Sequence, residues 1–232
     1  EMVDEICKER KVDLIVFPEL ATTGYECGVR FTDLAERIPG VSVNVLAQQA
    51  AAYETYIAFG MVEKHKVESI LYDAAILIDS DGEVAATHRK IHLKGEERLA
   101  FRAGYRNVVA ETNFGQVGLL LGWDLAFPEG ARCLTLGGME LLCLCANWEN
   151  PHTAEWRAFL TARALENAVF VAAANRIGEE YTISFFGDSL VIGPRGEVYS
   201  SIEGLAEGFC VAQIDLDEVK RYREELQLLQ CR

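Results

Sequence analysis

The stretch Val117-Gly118-Leu119-Leu120-Leu121-Gly122-Trp123-Asp124-Leu125-Ala126-Phe127-Pro128-Glu129 decides how this chain is read. Its first five residues form an unbroken apolar run, as expected of a strand covered on both faces. Gly122 ends the run where a backbone without a Cβ can make a tight turn. Phe127-Pro128-Glu129 then sets the start of a helix.

Further strands of the same buried type are expected at Leu14-Ile15-Val16-Phe17, Glu140 to Cys145 and Val169 to Ala174. Tyr56 to Glu63, Leu71 to Ile78 and Glu83 to His88 add three more, the last two joined by Asp79-Ser80-Asp81-Gly82, a hairpin signal. A second hairpin of similar build is expected where Ser189 to Ile192 meets Gly193-Pro194-Arg195-Gly196 and Glu197 to Tyr199. Helices are expected over Glu1 to Lys11, with Met2, Ile6 and Cys7 on one face, and over Val43 to Tyr53. After Pro151 the residues Trp156, Phe159, Leu160, Ala164 and Ala168 form one apolar stripe, with Glu155, Arg157 and Arg163 mostly off it. The chain opens inside a helical pattern, so a preceding strand is expected. Alternating helices and buried strands combined with hairpins imply a mixed α/β protein, two sheets face to face with helices outside. No linker divides the chain, and residues 1–232 read as one domain.

Composition narrows the function classes. With 22 Lys and Arg against 36 Asp and Glu, the net charge of −14 disfavours nucleic-acid binding. The odd, scattered set of seven cysteines, including Cys231, suits reduced thiols better than a disulfide framework. Cys133, Cys143 and Cys145 are expected to be core residues. The four histidines lack metal-site spacing, and no apolar stretch approaches the roughly 20 residues of a membrane span. A cytoplasmic protein without metal or cofactor is expected. No GxGxxG or Walker-type loop follows a strand, which leaves a nucleotide-binding α/β protein without support.

Three strand ends carry candidate chemistry: Glu19 after Phe17-Pro18, Lys90 after Thr87-His88-Arg89, and Gly122 after Leu119-Leu120-Leu121. Each alone reads as a solvated charge or a turn glycine. Together with Thr23-Gly24-Tyr25, Arg89-Lys90-Ile91-His92-Leu93, Glu97-Arg98-Leu99-Ala100-Phe101, Trp123-Asp124, Ala146-Asn147-Trp148, Asn175-Arg176-Ile177-Gly178 and Phe186-Gly187-Asp188-Ser189, they form a pattern covering essentially the whole chain.

That pattern resembles the nitrilase superfamily of amidases, nitrilases and N-carbamoyl hydrolases. The resemblance implies a four-layer αββα sandwich, paired into homodimers or larger homo-oligomers, with both chain ends cut short relative to the family. It assigns Glu19 as general base, Lys90 with the Trp123 N–H as oxyanion stabiliser, and Glu97 as the carboxylate that orients substrate or Lys90. The nucleophilic cysteine maps onto Gly122, which has no side chain to attack with. Asn147 and Trp148 either line the substrate pocket or are a turn residue and a core residue. Tyr25 and Phe185 can form an apolar wall, and Asp124 is expected to serve as a helix-start or turn acceptor. Asp124 after Trp123 is closer to the amidase and carbamoylase versions than to nitrilases with Glu there. The resemblance thus implies a small-molecule amide or ureido substrate in preference to a nitrile. The competing expectation is a catalytically inactive member that binds a ligand or assembles with a partner.

Overall fold

The computed structural model describes every residue except 67–69, 203, 205–206 and 230–232; Cys231 lies outside the described residues. In chain order the elements are α1 (Met2–Glu9), β1 (Leu14–Val16), α2 (Phe31–Leu34), α3 (Val41–Tyr53), β2 (Tyr56–Lys64), β3 (Leu71–Ile78) and β4 (Val84–Arg89). There follow α4 (Glu97–Ala100), β5 (Val109–Glu111), β6 (Gln116–Leu121), α5 (Pro128–Leu136), β7 (Leu141–Ala146), α6 (Thr153–Asn167) and β8 (Phe170–Asn175). The chain continues with β9 (Ile177–Glu179), β10 (Ser184–Phe186), β11 (Leu190–Ile192), β12 (Val198–Ser201) and α7 (Asp217–Leu226).

Two sheets carry the molecule, one in the order β1-β2-β3-β4 and one in the order β12-β11-β8-β7-β6-β5. Strand β1 runs parallel to β2, and β6, β7 and β8 run parallel to one another, whereas the hairpins β3–β4 and β11–β12 are antiparallel. Period-two alternation sorts the side chains into layers. Tyr56 and Ala58 of β2 meet Leu119, Leu121, Cys143 and Cys145 between the sheets. Ile57, Phe59 and Met61 point the other way, onto Val3, Ile6, Val43 and Ala50 of α1 and α3. On the far side Leu120, Leu142 and Leu144 pack against Leu134, Trp156 and Leu160 of α5 and α6. The result is the expected αββα sandwich.

The helix after Pro151 begins at Thr153, and Ala168 is its left-handed C-terminal cap at φ +48° rather than part of its stripe. Arg163 departs from expectation. It is buried, donating through Nε to the Leu125 carbonyl at 3.0 Å and through Nη2 to the Ala126 carbonyl at 3.1 Å. Its position, three residues after Leu160 and one before Ala164, lies on the stripe, and the turn carbonyls make a cation tolerable there. Cys143 and Cys145 are core residues as expected, but Cys133 faces solvent from α5. The short strands β5, β9 and β10 and the short helices α2 and α4 have no expected counterpart, being too short for a periodic signal; α7 has none either, although Val219 and Tyr222 face inward from it. No described helix is long and apolar enough to cross a membrane.

Candidate active site

The three strand ends converge. Pro18-Glu19 leaves β1 and crosses Gly60 on β2: the Gly60 N–H donates to the Pro18 carbonyl at 3.0 Å, and the Ala21 N–H donates to the Gly60 carbonyl at 2.8 Å. A Cβ on Gly60 would sit 2.5 Å from Glu19 Cα, so only glycine lets the chain approach this closely. Leu20 follows at φ +48°, uncommon for a residue with a side chain. Lys90 directly follows β4, and its N–H donates to the Asp73 carbonyl of β3 at 2.9 Å. Glu97 opens α4, and Gly122 begins a 3-10 turn, Gly122–Ala126, directly after β6.

Lys90 is the hub. Its Nζ donates to Glu19 Oε1 and to Glu97 Oε1, each at 2.7 Å, and all three side chains are buried. Glu19 Oε2 also accepts the Asn147 N–H at 3.0 Å. Glu97 accepts the Tyr25 hydroxyl at 2.7 Å and the Lys94 N–H at 2.8 Å. Burial raises the Glu19 carboxyl above its usual range, Lys90 opposing and Glu97 reinforcing that effect. Burial works against the Lys90 ammonium, but Glu19, Glu97 and Asp73 together outweigh it and hold the group protonated well above its ordinary range.

Gly122 adopts φ +34°, in the left-handed region. A Cβ there would lie 2.5 Å from Glu19 Oε2 and 2.9 Å from Oε1, so a side chain at this position is aimed at the carboxylate. Glu19, Tyr25, Lys90, Glu97, Gly122, Trp123, Asn147 and Trp148 line one pocket of about 20 Å³, with Lys94 and Glu149 at its margin. Lys94 binds Glu149 at 2.5 Å and lies 4.7 Å from the Trp123 ring centre. Trp148 is both pocket wall and core, its ring 5.4 Å from Trp123 and 5.6 Å from Trp156. Phe185 meets the Tyr25 ring edge-on at 5.9 Å but does not line the pocket. A far larger cleft of about 1580 Å³ runs along the open edge of β1 and beneath 207–217; it reaches Glu19 but neither Lys90 nor Gly122.

Residues 1–224 match the carbon-nitrogen hydrolase family. The chain belongs to this family, within the nitrilase superfamily. The chain is 42% identical to a Schizosaccharomyces pombe protein named "Probable nitrilase", over 91% of this chain and 79% of the relative. It is 34% identical to the 2-oxoglutaramate amidase of Bacillus subtilis, over 94% and 85%. Among solved structures it superposes with a TM-score of 0.84 on an amidase from Nesterenkonia sp. AN1, at 27% identity and covering 97% of this chain and 89% of that one. That structure shows acrylamide added at the active-site cysteine of the amidase. A Helicobacter pylori carbon-nitrogen hydrolase at 24% identity shares the fold, with a TM-score of 0.92 over 99% of this chain and 87% of that one.

Of its two expected roles, Asp124 takes that of a turn acceptor and not that of a helix cap. Its carboxylate accepts the N–H groups of Ile91 at 3.1 Å and His92 at 2.8 Å, and contacts His88 Nε2 at 3.0 Å and His92 Nδ1 at 2.9 Å. It thereby ties the turn after Gly122 to the backbone after Lys90. Burial opposes the Asp124 charge, but the His88 and His92 contacts win and hold the carboxyl well below the usual range. Asp73 and Gly60 also belong to the site's surroundings; both sit inside strands and have no local pattern to mark them. Among the described residues no group of three His, Cys, Asp or Glu side chains is arranged to hold a metal.

Proposed function

We propose that the chain carries an amidase-type site in which Glu19, Lys90 and Glu97 surround a nucleophile position occupied by Gly122. Such a protein binds a small amide or ureido compound and is acylated by it poorly or not at all. The observation that carries this reading is the aim of position 122: a side chain there meets the Glu19 carboxylate within 2.5–3.0 Å. A thiol placed there would give its proton to Glu19 and attack the carbonyl carbon; as the C–N bond breaks, that proton would pass to the departing ammonia or amine, and Glu19, ionised again, would take a proton from the water that hydrolyses the thioester and frees the thiol. Lys90 and the Trp123 N–H would hold the oxyanion, and Glu97 would keep Lys90 in place.

An amide substrate is favoured by Asn147. Its Oδ1 and Nδ2 are both buried without a hydrogen-bond partner among the described residues, and they match the donor and acceptor of a carboxamide. The names of relatives agree: a 2-oxoglutaramate amidase, and an N-carbamoylputrescine amidase of Arabidopsis thaliana at 28% identity. Cys145 is the rival thiol, two residues before Asn147. It belongs to the packing between the sheets and not to the pocket lining. Burial, with Cys143, Glu19 and Asp73, raises it well above the usual thiol range, whereas attack requires a thiolate. A cytoplasmic homo-oligomer completes the proposal; Leu136 on α5 and Leu165 on α6 leave apolar surface on one helical side.

Ammonia release by Gly122→Cys, against a panel of small amides, N-carbamoyl amines and nitriles, tests the reading. The variant is expected to turn over an amide or ureido compound that the unaltered chain does not, and Cys145→Ala is expected to leave that activity intact. A folded Gly122→Cys protein inactive on the whole panel, or activity of the unaltered chain that vanishes in Cys145→Ala, overturns it. Calorimetric binding of an amide without turnover by the unaltered chain favours the binding-protein alternative.

A further inference from the structure

Asp73 stands on β3 beside the Lys90 ammonium and is buried. Three carboxyls, those of Glu19, Asp73 and Glu97, therefore face one cation away from water. Two of them are well supplied with donors. Glu19 takes Lys90 Nζ and the Asn147 N–H; Glu97 takes Lys90 Nζ, the Tyr25 hydroxyl and the Lys94 N–H. Asp73 takes none: Lys90 Nζ is 3.8 Å from its Oδ2, and neither oxygen has a hydrogen-bond partner among the described residues. A buried carboxylate without a donor is strongly disfavoured. A carboxylic acid at the same place needs only an acceptor, and Glu19 is the carboxylate beside it at the same cation: Lys90 Nζ lies 2.7 Å from Glu19 Oε1 and 3.8 Å from Asp73 Oδ2.

We propose that Asp73 holds a proton in the folded protein and donates it to Glu19, acting as a positioning residue that keeps Glu19 the ionised member of the pair. The site then carries two carboxylates and one ammonium instead of three carboxylates and one. Asp73 shares the ammonium of Lys90, just after β4, with Glu19 from the loop after β1 and Glu97 from α4, and its cross-strand neighbour on β2, Val62, is uncharged; its charge also acts on the Cys145 thiol of β7. Burial first, and then the Glu19 charge, hold the Asp73 carboxyl well above the usual range, with Lys90 offsetting them only in part.

The sign of the consequence is fixed by linkage. A carboxyl whose pKa is raised by folding contributes its full stability below its unfolded value of about 4, and that contribution is lost as pH rises through the folded value. Asp73→Asn removes this loss. At neutral pH the infrared difference spectrum between the unaltered chain and Asp73→Asn is expected to show one protonated-carboxyl band that the variant lacks. Above about pH 4 the unfolding constant of Asp73→Asn is expected to depend on pH by about one proton less, up to roughly tenfold per pH unit.

A third measurement, of kcat/KM against pH in the Gly122→Cys protein, rests on Glu19 being the base. There Asp73→Leu, which has no donor for Glu19, is expected to move the acid limb to higher pH, and Asp73→Asn, which keeps an N–H donor, to leave it near its original place. A carboxyl band that persists in Asp73→Asn, or a stability slope equal to that of the unaltered chain, overturns the proposal. If Gly122→Cys is inactive or Asp73→Leu does not fold, the infrared and stability measurements decide Asp73 alone. Failure of the active-site reading thus remains distinct from failure of this one.

Discussion

At position 122 the backbone conformation sets a cost before any chemistry is considered. With φ at +34°, a residue bearing a Cβ is expected to lose at least about 1–2 kcal/mol relative to glycine, because the buried Glu19 carboxylate, held by Lys90 and the Asn147 N–H, has to shift as well. Denaturant midpoints of Gly122→Ala check this, and a variant as stable as the unaltered chain contradicts it. Lys90 poses the opposite problem, since its removal strands charge. Lys90→Met leaves Glu19 and Glu97 without their shared cation and is expected to cost about 3–5 kcal/mol, read from thermal or denaturant unfolding at neutral pH. Asp124 gives a pH signature. Its carboxyl is lowered by folding, so its contribution is present above an unfolded value of about 4 and lost as pH falls through the folded value. Asp124→Asn is therefore expected to lie furthest below the unaltered chain in melting temperature above pH 4, the gap closing toward acid. Glu19, Lys90 and Glu97 were legible because each sits in a dense local motif. Asp73 and Gly60 were not, because their importance comes from what crosses them in space.

At the scale of elements, the turn after β6 is held by a helix far along the chain. Arg163 on α6 supplies donors to the Leu125 and Ala126 carbonyls, and its Nη1 meets Glu166 at 3.0 Å. Arg163→Met fits the apolar stripe but leaves two carbonyls without donors, and is expected to destabilise by about 1–3 kcal/mol. Faster hydrogen exchange confined to the turn and α5 is the accompanying signature; unchanged exchange there would show that the turn is held by other means. Long periodic elements were readable almost to the residue. Strand β3 was expected over Leu71 to Ile78 and occupies Leu71–Ile78; the helix expected over Val43 to Tyr53 occupies Val41–Tyr53. The three- and four-residue elements β5, β9 and α4 escaped because fewer than two repeats of a pattern carry no period, whereas β11 and β12, equally short, were marked by the turn residues between them.

Across the whole molecule the two sheets place their inner strands under cover on both sides, and β2, β3, β6, β7 and β8 are almost entirely buried. Their amides are expected to exchange slowest, near the rate set by global unfolding, with those of the edge strands β1, β4, β5 and β12 opening earlier. Mass-resolved hydrogen exchange reads this directly. By itself the sequence determined the layered α/β architecture, since apolar runs, hairpin dipeptides and amphipathic stripes act over a few residues. It also marked Glu19, Lys90 and Gly122 as the ends of strands where chemistry would gather. Only the tertiary structure decided what surrounds them: a third carboxyl without a donor at Asp73, a histidine-bound Asp124 clamp, a buried Arg163, and Glu19 resting on Gly60. Those relations join segments tens of residues apart, and the desolvation that gives them force exists only after the sheets have closed on each other.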